Sequence, residues 1–521
     1  MRFPPWRTGI VLFAVAVAFA APARAAASAA IAVEQLRGAL ILNEDNSHFF
    51  SSRAPADMTL TGVQAFVDGY AGTKVTHLFL SPNAMRASFR SRTREAIWDP
   101  AGGVEPSGRW PENAKRLHEA GIDPYAVWIQ HSRLQGISPW LSMRMNDVHD
   151  VNDPTHFMHS EFWRTHPELR RAPDGPPVPW VNRGLNYAHA AVREHNLAFA
   201  RELLERYDPD GLELDWMRFG HHLTPGRERE EGKILEAFVR EIRALTAQHA
   251  ARRGHPILLG VRVPAHPDAA AGLGMDAVRW AHEGLVDLVV PGPFFSTTDF
   301  DIPLELWRER LGTDLTRVVL APAVEHNARA WPAGKTAAND LAALRGFAAS
   351  GWARGADSQY LFNWMDSETR PVNAEDYREL LRTGLARESL IRTPRRHLVT
   401  YRDTVPAGFS NGTQLPIEAP AGGSFRLNVG PRPTTGKSWI VAGLAARDNV
   451  SESRITATCN GRGTGPAEEL KNLTGIAGAV RALRFACPPD ALRDGENTFT
   501  LRQTDDGTPQ QIVWAEIRIE P

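Results

Sequence analysis

Asp210-Gly211-Leu212-Glu213-Leu214-Asp215-Trp216-Met217-Arg218-Phe219 is the stretch on which the fold of this chain turns. An Asp-Gly turn opens a run that alternates leucine with carboxylate. Side chains of a strand alternate faces, so Glu213 and Asp215 share one face and Leu212 and Leu214 the other. Strands of a covered parallel sheet are apolar on both faces, and a polar face is tolerated there only where it lines a cavity. The inside of a β/α barrel, near the carboxyl ends of its strands, is such a place. Paired carboxylates in that position fit acid/base chemistry on sugars.

Working outward, short β-rich runs alternate with amphipathic helical stretches from residue 36 to 390, the pattern of a parallel α/β fold. Eight strands are predicted: Gly38–Asn43, Val75–Ser81, Ile137–Met145, Gly211–Trp216, Ile257–Val263, Leu285–Val290, Arg317–Glu325 and Gln359–Trp364. Eight strands fit a closed (β/α)8 TIM barrel better than an open sheet. Between them, Ile234, Phe238, Ile242 and Leu245 line one helix face, and Val192, Phe199, Leu203 and Tyr207 another. Asp123-Pro124 has the form of an N-cap with proline at the first helical position, which predicts a helix over Tyr125–Gln135 that stops at Gly136. Past Arg392–Arg396 the helical period ends. Short strands with turn signals replace it and predict a C-terminal all-β sandwich over 397–521.

The ends and the composition set further bounds. Arg2 and Arg7 precede an apolar run, Gly9 to Ala20, which is too short to span a bilayer, and Ala23-Arg24-Ala25 offers a small-residue cleavage site. Residues 1–25 therefore read as a signal peptide, and the chain as exported to the periplasm or beyond. With 521 residues the chain exceeds the size of one core, so two domains are expected. A net charge of −1 gives no support for a nucleic-acid partner, and no later segment predicts a membrane span. Its two cysteines, Cys459 and Cys487, could pair in an oxidising compartment or stay as buried thiols.

The predicted strand ends carry the chemistry. Asn43 closes the first strand, and Arg144, Asn146, Asp147 and His149 crowd the third. Arg262 and His266 follow the fifth, Glu325 and His326 the seventh, Asn363 and Trp364 the eighth. The sixth delivers Phe294 and Phe295 instead. Glycosidic cleavage needs one carboxyl to protonate the leaving oxygen and a second to attack or to activate water. Asp215 and Glu325, from strands across the barrel mouth, are the expected pair, with Glu213 one layer deeper. Arg144 and Arg262 flank the fourth strand and could instead lock the carboxylates into ion pairs. Asn43, Arg144, Asn146, Asp147, His149, Arg262, His266, His326 and Asn363 are the expected substrate contacts, and Trp364 a stacking platform. The spacing of Asp147, His149, Asp150, Asn152 and Asp153 matches neither an EF-hand nor a zinc signature. No Gly-x-Ser-x-Gly elbow or phosphate loop occurs, and nothing implies a cofactor.

The segment Tyr187–Phe219, with Arg206-Tyr207-Asp208-Pro209-Asp210-Gly211-Leu212-Glu213-Leu214-Asp215-Trp216, resembles secreted bacterial glycosyl-hydrolase-like barrel proteins, whose Asp-Gly-x-x-x-Asp fourth strand ends in an acid at the sugar site. The resemblance covers about residues 36 to 390 and implies a TIM barrel acting on carbohydrate, with Asp215 at the acidic position. The same strand is partly similar to that of family 18 chitinases, but Met217 stands where their general acid falls. The C-terminal part is similar in outline to glycosidase accessory modules. A glycoside hydrolase is thus the first expectation. A non-catalytic carbohydrate-binding barrel, or another carbohydrate-active class such as a lyase or deacetylase, is the alternative.

Overall fold

The computed structural model describes residues 27–172, 180–365, 373–445, 454–488 and 490–521. The expected signal peptide, 1–25, lies outside them. Eleven strands form in the first part: β1 (Leu40–Glu44), β2 (His77–Leu80), β3 (Ser138–Arg144), β4 (Gly211–Asp215), β5 (Leu258–Pro264), β6 (Leu288–Gly292), β7 (Val319–Leu320), β8 (Ala323–Glu325), β9 (Asn327–Arg329), β10 (Thr336–Ala338) and β11 (Gln359–Phe362). β9 and β10 make a small hairpin, and the other nine form one parallel sheet in the order β7-β6-β5-β4-β3-β2-β1-β11-β8.

One expectation is corrected here. The predicted seventh strand is two pieces, β7 and β8, separated by Ala321 and Pro322. β7 pairs with β6, and β8 with β11. Proline has no N–H to donate, so the ladder cannot run through it. The sheet curls until its two ends fall on one chain segment. It is not the closed eight-stranded barrel that the alternation predicts. The helices follow the sequence closely. Asp123 accepts from the N–H of Tyr125 and Ala126 and caps the helix Pro124–Leu134. Val192, Phe199 and Leu203 are buried on the helix Ala190–Arg206. On the helix Glu228–Arg253 the buried stripe includes Leu235, Phe238, Val239, Ile242 and Leu245.

The inside of the curled sheet is layered. At its amino end, Trp140 stacks on Phe79 with centroids 4.6 Å apart and planes within 7°. The indole also lies across Gly211, where an added Cβ would come within 2.4 Å of it. Gly211 is therefore not the turn residue that the Asp-Gly pair implied but the space Trp140 occupies. Asp210, below it, accepts from Arg133 and from the Ser138 hydroxyl and closes the amino end. One layer higher come Ser142 and Glu213, then Arg144, Asp215 and Arg262 side by side in register.

The C-terminal part consists of antiparallel sheets. Arg395–Leu398, Ile417–Glu418, Lys437–Leu444, Ala467–Glu469, Arg481–Ala486 and Gln511–Glu520 form one, and Gly423–Asn428, Ile455–Cys459, Arg462–Gly463 and Glu496–Gln503 the other. Cys459 and Cys487 are both free thiols and buried.

Candidate active site

Strand alternation brings Glu213 and Asp215 onto the inner face, and both are almost wholly enclosed. Glu213 Oε2 accepts from the Ser142 hydroxyl at 2.5 Å, the Tyr360 hydroxyl at 2.9 Å and Asn43 Nδ2 at 3.3 Å. Asn43 Nδ2 also donates to Tyr360 at 2.6 Å. Burial first, and then the negative charge of Asp215, push the Glu213 carboxyl up to about 7. Glu213 thus keeps its proton well above the ordinary carboxylate range.

Asp215 is bound differently. Three donors meet at its Oδ1: Arg262 Nε at 2.8 Å, Arg218 N at 2.9 Å and Met217 N at 3.0 Å. Its Oδ2 has no hydrogen-bond partner among the described residues. Burial works against the Arg262 charge, but Asp215 outweighs it and holds the guanidinium above its ordinary pKa. The Arg262 Cζ also sits 3.6 Å from the centroid of the Phe362 ring. Phe362 is the register partner of Glu325. One arginine and one ring therefore connect the Asp215 strand to the strand that bears the second expected carboxylate.

Glu325 is fully buried. Its carboxylate accepts from the N–H of His326 at 3.0 Å and is in short contact with the His326 imidazole. Its backbone is held by Thr298 and Asn339: the Thr298 hydroxyl donates to the Glu325 carbonyl at 2.9 Å and Asn339 Nδ2 at 2.6 Å.

Arg144 does not pair with Glu213 or Asp215, as the ion-pair alternative required. It donates to Asp45 at 2.6 Å and to Asp147 at 2.9 Å. Burial raises the Asp147 carboxyl, but His149 and Arg144 outweigh it and hold the group well below the carboxylate range. Arg218 NH2 lies 2.7 Å from His149 Nε2, and Asp147 lies 2.5 Å from His149 Nδ1. Arginine can only donate, so Nε2 accepts and the ring proton sits on Nδ1, facing Asp147. Asp147, His149 and the Arg218 guanidinium form a hydrogen-bonded chain, and the backbone N–H of Arg218 donates to Asp215. Among the described residues no three of His, Cys, Asp and Glu come together as a ligand set.

Three expected substrate contacts have structural roles instead. Asn146 staples Leu185, donating to its carbonyl and accepting from its N–H, both at 2.9 Å. His266 caps the helix Pro267–Gly272 by accepting from Asp268 N at 3.1 Å. Trp364 is 0% exposed with its indole N–H on the Asn339 carbonyl, so it offers no open face for stacking. Asn363 is buried, in a left-handed conformation (φ 57°), and neither side-chain polar atom has a partner among the described residues. Arg218, Tyr360 and Ser142 were missed. Tyr360 lies two residues before Phe362 and so shares its face, a period-two signal that could have found it.

Seven buried polar atoms of this region have no hydrogen-bond partner among the described residues: Asp215 Oδ2, Glu213 Oε1, Asn43 Oδ1, both terminal nitrogens of Arg262, and both polar atoms of Asn363. Buried polar groups are nearly always satisfied, so a cluster of orphans marks a place where a ligand or water completes them. Donors and acceptors are mixed, which suits a polyhydroxylated molecule.

No protein-family model matches the chain, and no curated protein does. Among solved structures it is similar to alpha-L-fucosidase isoenzyme 2 from Paenibacillus thiaminolyticus, at 14% identity over 69% of this chain and 51% of that one, with a TM-score of 0.43. It is similar also to a GH27 β-L-arabinopyranosidase from Geobacillus stearothermophilus, at 10% identity over 90% and 98% with a TM-score of 0.38. A third is the family 107 endo-fucoidan hydrolase MfFcnA9, at 13% identity over 93% and 81% with a TM-score of 0.39. The chain spans about half the length of the first of these. All three are glycoside hydrolases, the class the sequence resembles.

Proposed function

We propose that this chain is an exported glycoside hydrolase that cleaves O-glycosidic bonds of a polysaccharide or oligosaccharide. The observation that carries this reading is the orphaned polar cluster on β1, β4, β5 and the end of β11, which holds Asp215 and whose Arg262 lies over the Phe362 ring, the register partner of Glu325. In it, Asp215 acts from Oδ2 as nucleophile or base, because its other oxygen is already engaged by three donors. Hydrogen bonds of that kind orient a carboxylate without consuming its reactive lone pair. Glu325 is the partner carboxyl of Asp215, with His326 against it. Glu213 anchors Asn43, Ser142 and Tyr360 from below rather than reacting. Arg262 and Asn363 hold sugar hydroxyls. A gap between carboxyl groups of about 5–5.5 Å gives retention and one of about 6.5–9.5 Å inversion.

The test is a panel of 4-nitrophenyl glycosides and plant, algal and bacterial polysaccharides, with Asp215→Asn beside the wild type. Loss of about 10²–10⁴-fold in rate, compared at equal folded concentration because the variant also breaks the buried pair with Arg262, supports the assignment. The buried Asp215–Arg262 ion pair favours a second reading, a non-catalytic carbohydrate-binding fold. It predicts glycan binding without product release.

A further inference from the structure

β6 ends in Pro291-Gly292, and after Pro293 the chain turns through Phe294-Phe295-Ser296. Three successive backbone N–H groups of that turn point at one carboxylate, Asp403, which comes 109 residues after Phe294. Phe294 N lies 2.9 Å from Oδ1, and the N atoms of Phe295 and Ser296 each lie 2.9 Å from Oδ2. The Thr404 hydroxyl donates to Oδ1 at 3.0 Å. Consecutive N–H groups converging in this way form an anion cradle, and here the anion is part of the chain.

Asp403 belongs to the segment that follows Arg395–Leu398, a strand of the C-terminal sheet. Its neighbours grip the same side of the α/β part. The Thr400 hydroxyl accepts from Phe300 N at 3.0 Å, and Arg402 pairs with Asp299 at 3.1 Å and donates to the Asp301 carbonyl at 2.8 Å. Farther on, the Phe409 ring lies 5.1 Å from that of His266. The segment is a strap across the loops that follow β5 and β6.

What the strap holds is aromatic. The Phe294 ring lies 4.9 Å from Phe219 and 4.7 Å from Trp180. The Phe295 ring lies 5.9 Å from His326 and 5.7 Å from the Arg218 guanidinium carbon. Arg218 N donates to Asp215, and His326 N donates to Glu325. The two phenylalanines therefore span the interval between the neighbours of both carboxylates.

We infer that Asp403 is a positioning residue of the site: by holding the turn whose Phe294 packs on Phe219 and Trp180, it fixes the half-buried Phe295 as an aromatic wall between Asp215 and Glu325, against which the apolar face of a sugar ring binds. The ligand in this statement rests on the glycosidase reading, whereas the clamp itself does not. Rings with an apolar face and fixed orientation suit the C–H face of a sugar, and a wall that shifts costs binding before it costs chemistry. The strap also makes the C-terminal part a structural contributor to the site.

Asp403→Asn in the full chain tests this, because it keeps the size but turns an N–H donor toward other donors. Asp490→Asn, a change at an exposed position outside the strap, is the control. Hydrogen exchange read by mass spectrometry is expected to speed up about tenfold or more in the peptide spanning 294–301, with β4 and β11 unchanged. For whichever 4-nitrophenyl glycoside the wild type cleaves, KM is expected to rise about fivefold with kcat within about twofold. Unchanged exchange at 294–301 overturns the clamp, and a fall in kcat at constant KM overturns the wall. If the wild type cleaves no glycoside, the glycosidase reading fails, and exchange still decides the clamp.

Discussion

Replacing Glu213 by glutamine removes one proton-binding group from the middle of the curled sheet and leaves its shape. Glutamine can still accept from Ser142, Tyr360 and Asn43 through one oxygen, and its amide takes the place of Glu213 Oε1, which has no partner among the described residues. In the folded chain the carboxyl is pushed from its ordinary 4.5 to about 7, by burial and then by Asp215. The sign follows from which state binds the proton more tightly. Below pH about 4.5 both folded and unfolded chains hold it, and the contribution to stability is fully present. As pH rises, the unfolded chain ionises first, and stability falls until the folded carboxyl also ionises near pH 7. A rise of this size corresponds to about 3 kcal/mol lost between about pH 4.5 and about pH 7.5. Denaturant melts of wild type and Glu213→Gln at both pH values read the difference for Glu213 and the groups it couples to, since distant titrating groups cancel in the comparison. The gap between the two proteins should change by about that amount, with the wild type losing ground at the higher pH. Parallel pH dependences would refute the placement of Glu213 as a buried carboxyl beside a negative charge.

Other perturbations probe neighbouring parts of the account. Arg262→Met leaves Asp215 buried without its cation, and breaking a buried pair in this way should cost about 3–5 kcal/mol, read by urea unfolding; Asp215→Asn in the same chain should recover part of it. Gly211→Ala drives a methyl into the Trp140 ring and should lower stability by about 1–3 kcal/mol, seen as a drop in melting temperature. Asp123→Ala removes the oxygen that caps two N–H groups at the start of Pro124–Leu134, together with the partner of Arg206 and Tyr207, and should cost about 0.5–2 kcal/mol for the cap alone without altering any glycosidase activity.

The sequence reading succeeded where a residue's role follows from local period and failed where it depends on distant partners. Alternation placed Glu213 and Asp215 on one inner face, and the structure has them there, one layer apart. The break at Pro322 was visible as a proline inside a predicted strand, and the β7–β8 interruption is its consequence. Strand-end position alone did not separate Arg262, which meets Asp215, from Arg144, which is taken by Asp45 and Asp147. Their strands flank β4 symmetrically, and only the loops that supply counter-charges distinguish them. Trp364 looked like a platform because tryptophan at a strand end often is one, but its ring is packed beside Tyr377 with centroids 5.9 Å apart. Asp403 carried no signal. It lies in an aperiodic linker, and its function is set by backbone groups of a turn more than a hundred residues earlier.

The central claim is that an Asp215-dependent hydrolytic site lies at the carboxyl ends of these strands. Its most direct measurement is the release of reducing ends from the glycan panel by wild type and Asp215→Asn, at equal folded concentration. The account predicts release by the wild type that falls about 10²–10⁴-fold in the variant. Release that survives the substitution, or wild-type protein that retains glycans and frees no reducing ends, would contradict it.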